Sequence, residues 1–153
     1  MTCQLTDLKN ALVEASTEVI SMFGLSCSFV KESEEKSLNS GEDINVVIGL
    51  SNGLKGNILA GFPKSAALKI VSGMMGGTEL SDVDDMVKSG LGEFTNMMSG
   101  NAIIRLKSDK LIELSPPTLA SGEDMFVMIS RAPARKLFFK LGDTEFNIAY
   151  CIE

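Results

Sequence analysis

At 153 residues the chain suits one domain with one sizeable core, and 44% apolar and 22% charged residues mark it as globular rather than disordered. A net charge of −6, with no Lys/Arg-rich run, argues against nucleic-acid binding, which needs a basic footprint. The absence of histidine excludes Ser-His-Asp and Cys-His catalysis, and the scattered Cys3, Cys27 and Cys151 read as reduced, idle thiols rather than a disulfide framework or zinc site.

In chain order, the N-terminus "MTCQLTDLKNALVEAS" has neither a basic n-region nor a continuous apolar h-region, so no secretion signal is expected. No apolar run reaches about 18 residues, so no membrane insertion is expected and the cytoplasm is the default. Residues from about Thr6 to Phe23 read as a helix, with Leu8, Leu12, Ala15, Val19 and Met22 on one stripe. The acidic stretch "FVKESEEKSLNSGED" reads mostly as a solvated loop. "INVVIGL" and "GNILAGF" read as strands of a hairpin, since Asn52 and Gly53 both tolerate positive φ. "KSAALKIVSGMM" reads as a short helix stopped by Gly76-Gly77.

The next helix is expected to start at Ser81, with capping-box spacing to Asp84 and further negative charge from Asp82 and Asp85, and to run to about Leu106. "LIELSPP", "MFVMISR", "KLFFKL" and "FNIAYCI" follow as strands, with Pro116-Pro117 closing the first and "GDTE" turning the last hairpin. Hairpin-type connections dominate. The expected fold is therefore a single α+β domain over residues 1–153, a mainly antiparallel sheet packed with helices that include one long central helix.

That long helix carries its own breakers: "SGLGEFTNMMSG" holds Gly90, Gly92, Asn96 and Gly100. Each Gly costs a helix roughly 1 kcal/mol relative to Ala, and Asn is also a poor helix former. At ~100° per residue, Val83, Val87, Leu91, Phe94, Met98 and Ala102 gather on a core face. Asp82, Asp85, Ser89, Glu93, Asn96 and Gly100 gather opposite, with Gly92 close to the same stripe, while Gly90 lies on the flank and reads as packing. Glu93 and Asn96 are three apart and hence neighbours. Such a face is ordinarily just solvated. It can also let another protein's backbone approach its small residues while a carboxylate pairs with a partner's cation and an amide holds a water. Neither group alone is a nucleophile or a metal cage. The pair makes most sense completing a site on another molecule.

The pattern Asp/Ser, three residues, Glu, two residues, Asn, with a Pro some twenty residues on (here Pro116 or Pro117), together with "VSGMMGGTEL" before it and "ELSPPTLASGED" after it, resembles the CheC/CheX/FliY family of chemotaxis phosphatases. The length and the single clear motif are those of CheX-like members. The resemblance implies dephosphorylation of a phosphorylated CheY-like response regulator. By it, Glu93 pairs with a lysine of the regulator and Asn96 orients the attacking water. Ser89 matches the first motif position, and Ser89, Gly92 and Gly100 form the binding surface around the pair. The resemblance further implies no cofactor or metal of the chain's own, Mg²⁺ on the response regulator, and a homodimer, with sheet-edge strand pairing one possible means of association. Asn10, Glu14 and Thr17 of the first helix echo the motif, but Thr17 has a hydroxyl where an amide is needed, so one active helix is expected. The rival readings are a non-catalytic receiver-binding module and a flagellar-switch-associated scaffold of the same fold. The methionine pairs Met74-Met75 and Met97-Met98 read as core filler.

Overall fold

The structure is a computed structural model that describes residues 2–153, with side chains from Thr6 onward. Its elements are α1 (Thr2–Met22), β1 (Ser28–Glu35), β2 (Leu38–Ser40), β3 (Ile44–Asn52), β4 (Gly56–Phe62), α2 (Lys64–Met74), α3 (Asp85–Leu106), β5 (Ile112–Leu114), β6 (Thr118–Ser121), β7 (Val127–Ser130), β8 (Ala134–Leu141) and β9 (Thr144–Ile152). A seven-stranded sheet has the order β1-β8-β9-β4-β3-β5, and β6 also pairs with β3, at Ile44–Val47, where β5 pairs at Leu50–Asn52. β2 and β7 form a separate two-stranded ribbon. The pairings are antiparallel, in keeping with the α+β expectation.

The central strands are buried on both faces, which is why their sequences read as nearly continuous apolar runs. In β3, β4 and β9 the residues Ile44, Val46, Ile58, Ala60, Phe62, Phe146, Ile148 and Tyr150 join the helices in the main core. The alternate residues Leu59, Ala149 and Cys151 join Leu38 and Ala134 in a smaller core, with Ile129 of β7 packed against it. Period-two alternation thus divides each strand between two cores.

Several expectations need correction. The stretch from Phe29 to Asp43 is not mostly loop, because β1 pairs with β8 from Ser28↔Lys140 to Glu35↔Ala134. Its charged residues conceal the strand. They belong to a sheet edge, where charge is tolerated, and Glu32 and Glu34 pair with Arg135 at 3.4 Å while Lys9 of α1 meets Glu32 at 3.3 Å. β6 was also not expected, since "TLAS" is too short and mixed to carry a strand pattern, and pairing with β3 creates it. α1 begins at Thr2 rather than near Thr6. In the β3–β4 turn Asn52 has φ 68, whereas Gly53 is not in the left-handed region. Gly53 answers a steric demand instead, as a Cβ there would stand 2.7 Å from the Lys110 carbonyl oxygen. Gly76 and Gly77, at φ 75 and 96, end α2 as the sequence implied.

α3 does not start at Ser81. Its N-cap is Asp84, whose carboxylate accepts a hydrogen bond from the Val87 N–H at 2.9 Å, so the Ser81–Asp84 capping box is not formed. A cap needs extended backbone followed by free N–H groups, and Asp84 provides both, three residues after Ser81. Asp82 and Val83 consequently precede the helix. At the other end Lys107, at φ 52, closes it. Met98 is core and Met74 and Met97 pack against it, as filler should, while Met75 is exposed.

Candidate active site

What fixes the face that α3 presents is Phe94. Its ring lies 6.0 Å from Phe62 and 6.2 Å from Phe146, both edge-on, and Phe23, just past the end of α1, closes on it at 6.5 Å. With Val87, Leu91, Met98 and Ala102 also buried, rotation of the helix about its axis would expose a row of large apolar groups. At roughly 2 kcal/mol or more for each fully buried Leu, Phe or Met, that phase is firmly held. Glu93 precedes Phe94, and its side chain is exposed. Asn96 follows two residues on and is half-buried. Neither makes a side-chain hydrogen bond or ion pair within the described residues, so both are open to an incoming group.

Of the surrounding positions, Ser89 is exposed and Gly100 has open space where a side chain would stand. Gly92 departs from the expectation that it is bare surface: it is buried, and a Cβ there would lie 3.5 Å from Cγ of Pro117. Of the two prolines left open by the sequence, Pro117 therefore covers the motif helix. Gly90 is a packing position as expected, since a Cβ would meet Val71 of α2 at 2.9 Å. Beside Glu93 the surface falls into an open groove of about 380 Å³, with Lys88, Ser89, Gly92 and Glu93 on the α3 wall and Pro117 and Leu119 opposite. Lys88, Pro117 and Leu119 carry no motif signal of their own beyond the proline. Lys88 stands on α3, and Pro117 and Leu119 reach the site because the end of the β5–β6 connection and the start of β6 pass beside that helix.

The echo on α1 is occupied by contacts within the fold. Arg105 of α3 binds Glu14 at 3.1 Å and also contacts Glu18, while the Thr17 hydroxyl donates to the Val13 carbonyl at 2.9 Å. Among the described cysteines, burial pushes the Cys27 thiol up to about 11 and raises Cys151 as well, so neither is a thiolate nucleophile at neutral pH. The Cys3 side chain lies outside the described residues. Within those residues no group of three or more Asp, Glu or Cys is placed to hold a metal ion, and no helix is long and apolar enough to cross a membrane.

The fold and site are those of an α+β protein whose longest helix turns outward, beside an open groove, a carboxylate and an amide that have no side-chain partner among the described residues, a surface suited to engaging another macromolecule. Comparison with known proteins makes this specific. The family model for the chemotaxis phosphatase CheX matches residues 44–139. A Thermotoga maritima protein named CheY-P phosphatase CheX is 33% identical over 118 residues, covering 76% of each chain. The crystal structure of a chemotaxis protein CheX from Desulfovibrio desulfuricans superposes with a TM-score of 0.84 at 26% identity, over 95% of this chain and 99% of the other. A CheX from Borrelia burgdorferi, crystallised in a CheX–CheY–BeF₃–Mg²⁺ complex, shares the fold with a TM-score of 0.77 at 22% identity, over 94% of this chain and 96% of the other. The chain belongs to the CheX family of chemotaxis phosphatases.

Proposed function

We propose that this protein hydrolyses the phospho-aspartate of a CheY-type response regulator, releasing inorganic phosphate and restoring the free carboxylate. The observation that carries the reading is the pair Glu93 and Asn96, three residues apart on a helix locked by Phe94, neither with a side-chain hydrogen bond or ion pair among the described residues. Family membership and a relative named for CheY-P hydrolysis support it. So does a CheX of this fold crystallised together with CheY.

In this mechanism Glu93 anchors the complex by pairing with a cation of the regulator, a charge-assisted contact. Asn96 enters the regulator's site, where its amide accepts from and donates to groups around one water and holds that water in line with the phosphorus. The water attacks, the aspartyl oxygen leaves as carboxylate, and the proton passes to solvent or to the departing phosphate. An acyl phosphate is already activated, so positioning a water supplies the missing rate. Ser89 and Gly100 keep the approach uncluttered. The chain contributes no metal. Mg²⁺ bound by the regulator supplies charge neutralisation at the phosphoryl group when present. The protein acts in the cytoplasm as a homodimer.

The test is phosphate release from phosphorylated receiver domains with and without this protein. Acceleration on at least one receiver supports the reading. Binding without acceleration would favour a non-catalytic receiver-binding module.

A further inference from the structure

The groove beside Glu93 carries one cation, Lys88, one turn before Gly92 on α3. Lys88 makes no ion pair in the described residues, although it also borders the neighbouring depression lined by Asp43, Lys64 and Glu123. The groove floor and far wall are apolar, from Gly92 under Pro117 to the half-buried Leu119. Glu93 and Lys88 line the same groove, so a partner that fills it from Glu93 reaches Lys88. The two are five residues apart, about 7.5 Å along the helix, and opposite in sign.

We infer that this groove is the specificity surface for the phosphorylated receiver: Lys88 pairs with a receiver carboxylate while Pro117 and Leu119 take an apolar side chain beside it. This rests on the phosphatase reading. A receiver must then present a cation to Glu93 and an anion to Lys88 in a fixed order, with an apolar group between. A receiver with the order reversed meets two like-charge contacts, which disfavour binding strongly. Lys88 acts in docking and selection, and the chemistry stays with Asn96.

The experiment measures kcat and KM for phosphate release from the phosphorylated CheY-type receiver that the parent protein accepts. Lys88→Ala is expected to raise KM about three- to tenfold and Lys88→Glu by about tenfold or more, with Lys88→Arg close to the parent and kcat within about twofold throughout. Rising salt should raise the parent's KM more steeply than that of Lys88→Ala, because a screened attraction has been removed. Lys55→Glu, an identical charge change on the exposed β3–β4 turn near the opposite end of α3, should leave KM unmoved. The inference fails if KM of Lys88→Glu matches the parent, if Lys55→Glu raises KM equally, or if kcat falls while KM stays fixed. In each of those cases a parent that still accelerates dephosphorylation keeps the functional reading intact. A parent with no acceleration on any receiver removes both.

Discussion

Asn96 and Glu93 stand on the same face but bear different parts of the proposed reaction, and substitution at Asn96 isolates the chemical step. Asn96 is half-buried and has no side-chain partner among the described residues, and Ala is the better helix former, so Asn96→Ala should leave the fold intact or gain a few tenths of a kcal/mol. Loss of the amide removes the group that fixes the water. Phosphate release should drop by about 10²-fold or more while binding to the regulator persists, as read by single-turnover assay and affinity measurement. An undiminished rate would exclude the water-positioning role.

Glu42 offers a second residue-level test. Burial raises its carboxyl above the usual range, and Asp43 pushes the same way, against a smaller opposing effect from Lys136. A raised native pKa means the folded state binds the proton more tightly than the unfolded one. Its contribution to stability is therefore present at acid pH, below the ordinary carboxylate range, and is lost as pH rises through the native value. Glu42→Gln keeps an acceptor for the Asn147 amide, which donates to Glu42 at 3.3 Å, and removes the charge. Thermal melts should show the variant more stable than the parent near neutral pH, with the gap closing as pH falls to about 4. A variant less stable at neutral pH would reverse the assignment.

At the scale of elements, α3 depends on its N-cap and on the aromatic contacts beneath it. The Asp84 carboxylate satisfies the Val87 N–H, and Lys88 N–H donates to the Asp84 carbonyl at 3.0 Å. Asp84→Ala should cost about 1 kcal/mol, which in a domain of this size lowers the melting temperature by about 2–4 °C. Ser81→Ala should cost nothing measurable by the same melts, because Ser81 is outside the helix and exposed. Equal losses from the two substitutions would restore the capping box that the structure lacks. Proximity of Asp84 to Lys88 gives the cap a further consequence, since fraying of the first turn would loosen the groove wall.

For the whole molecule, the seven-stranded sheet ends in β1 on one side and β5 with β6 on the other. The β1 edge carries charges and a bulge between Phe29 and Lys31, features that discourage strand addition. The proposed homodimer predicts a mass by light scattering of about twice the 16.4 kDa chain at micromolar concentration. A monomer mass across that range would remove the claim.

The sequence by itself determined the helices, the central strands and the candidate pair. These depend on local signals: apolar residues at helical spacing, short apolar runs in β3 and β4, Gly76-Gly77 as a stop, and Glu93 three residues before Asn96. It also determined the family, because three motif-bearing stretches in order do not depend on how the chain is folded. Only the tertiary structure decided what pairing and crossing impose. β1 is a strand because β8 lies beside it and Arg135 neutralises its glutamates, and β6 is one because β3 has a free edge. Gly92, bare on a helical wheel, is buried because Pro117 arrives from a segment more than twenty residues away. Lys88 and Leu119 share one groove for the same reason. Periodicity reports which face of an element is apolar, and long-range contact decides what covers the other.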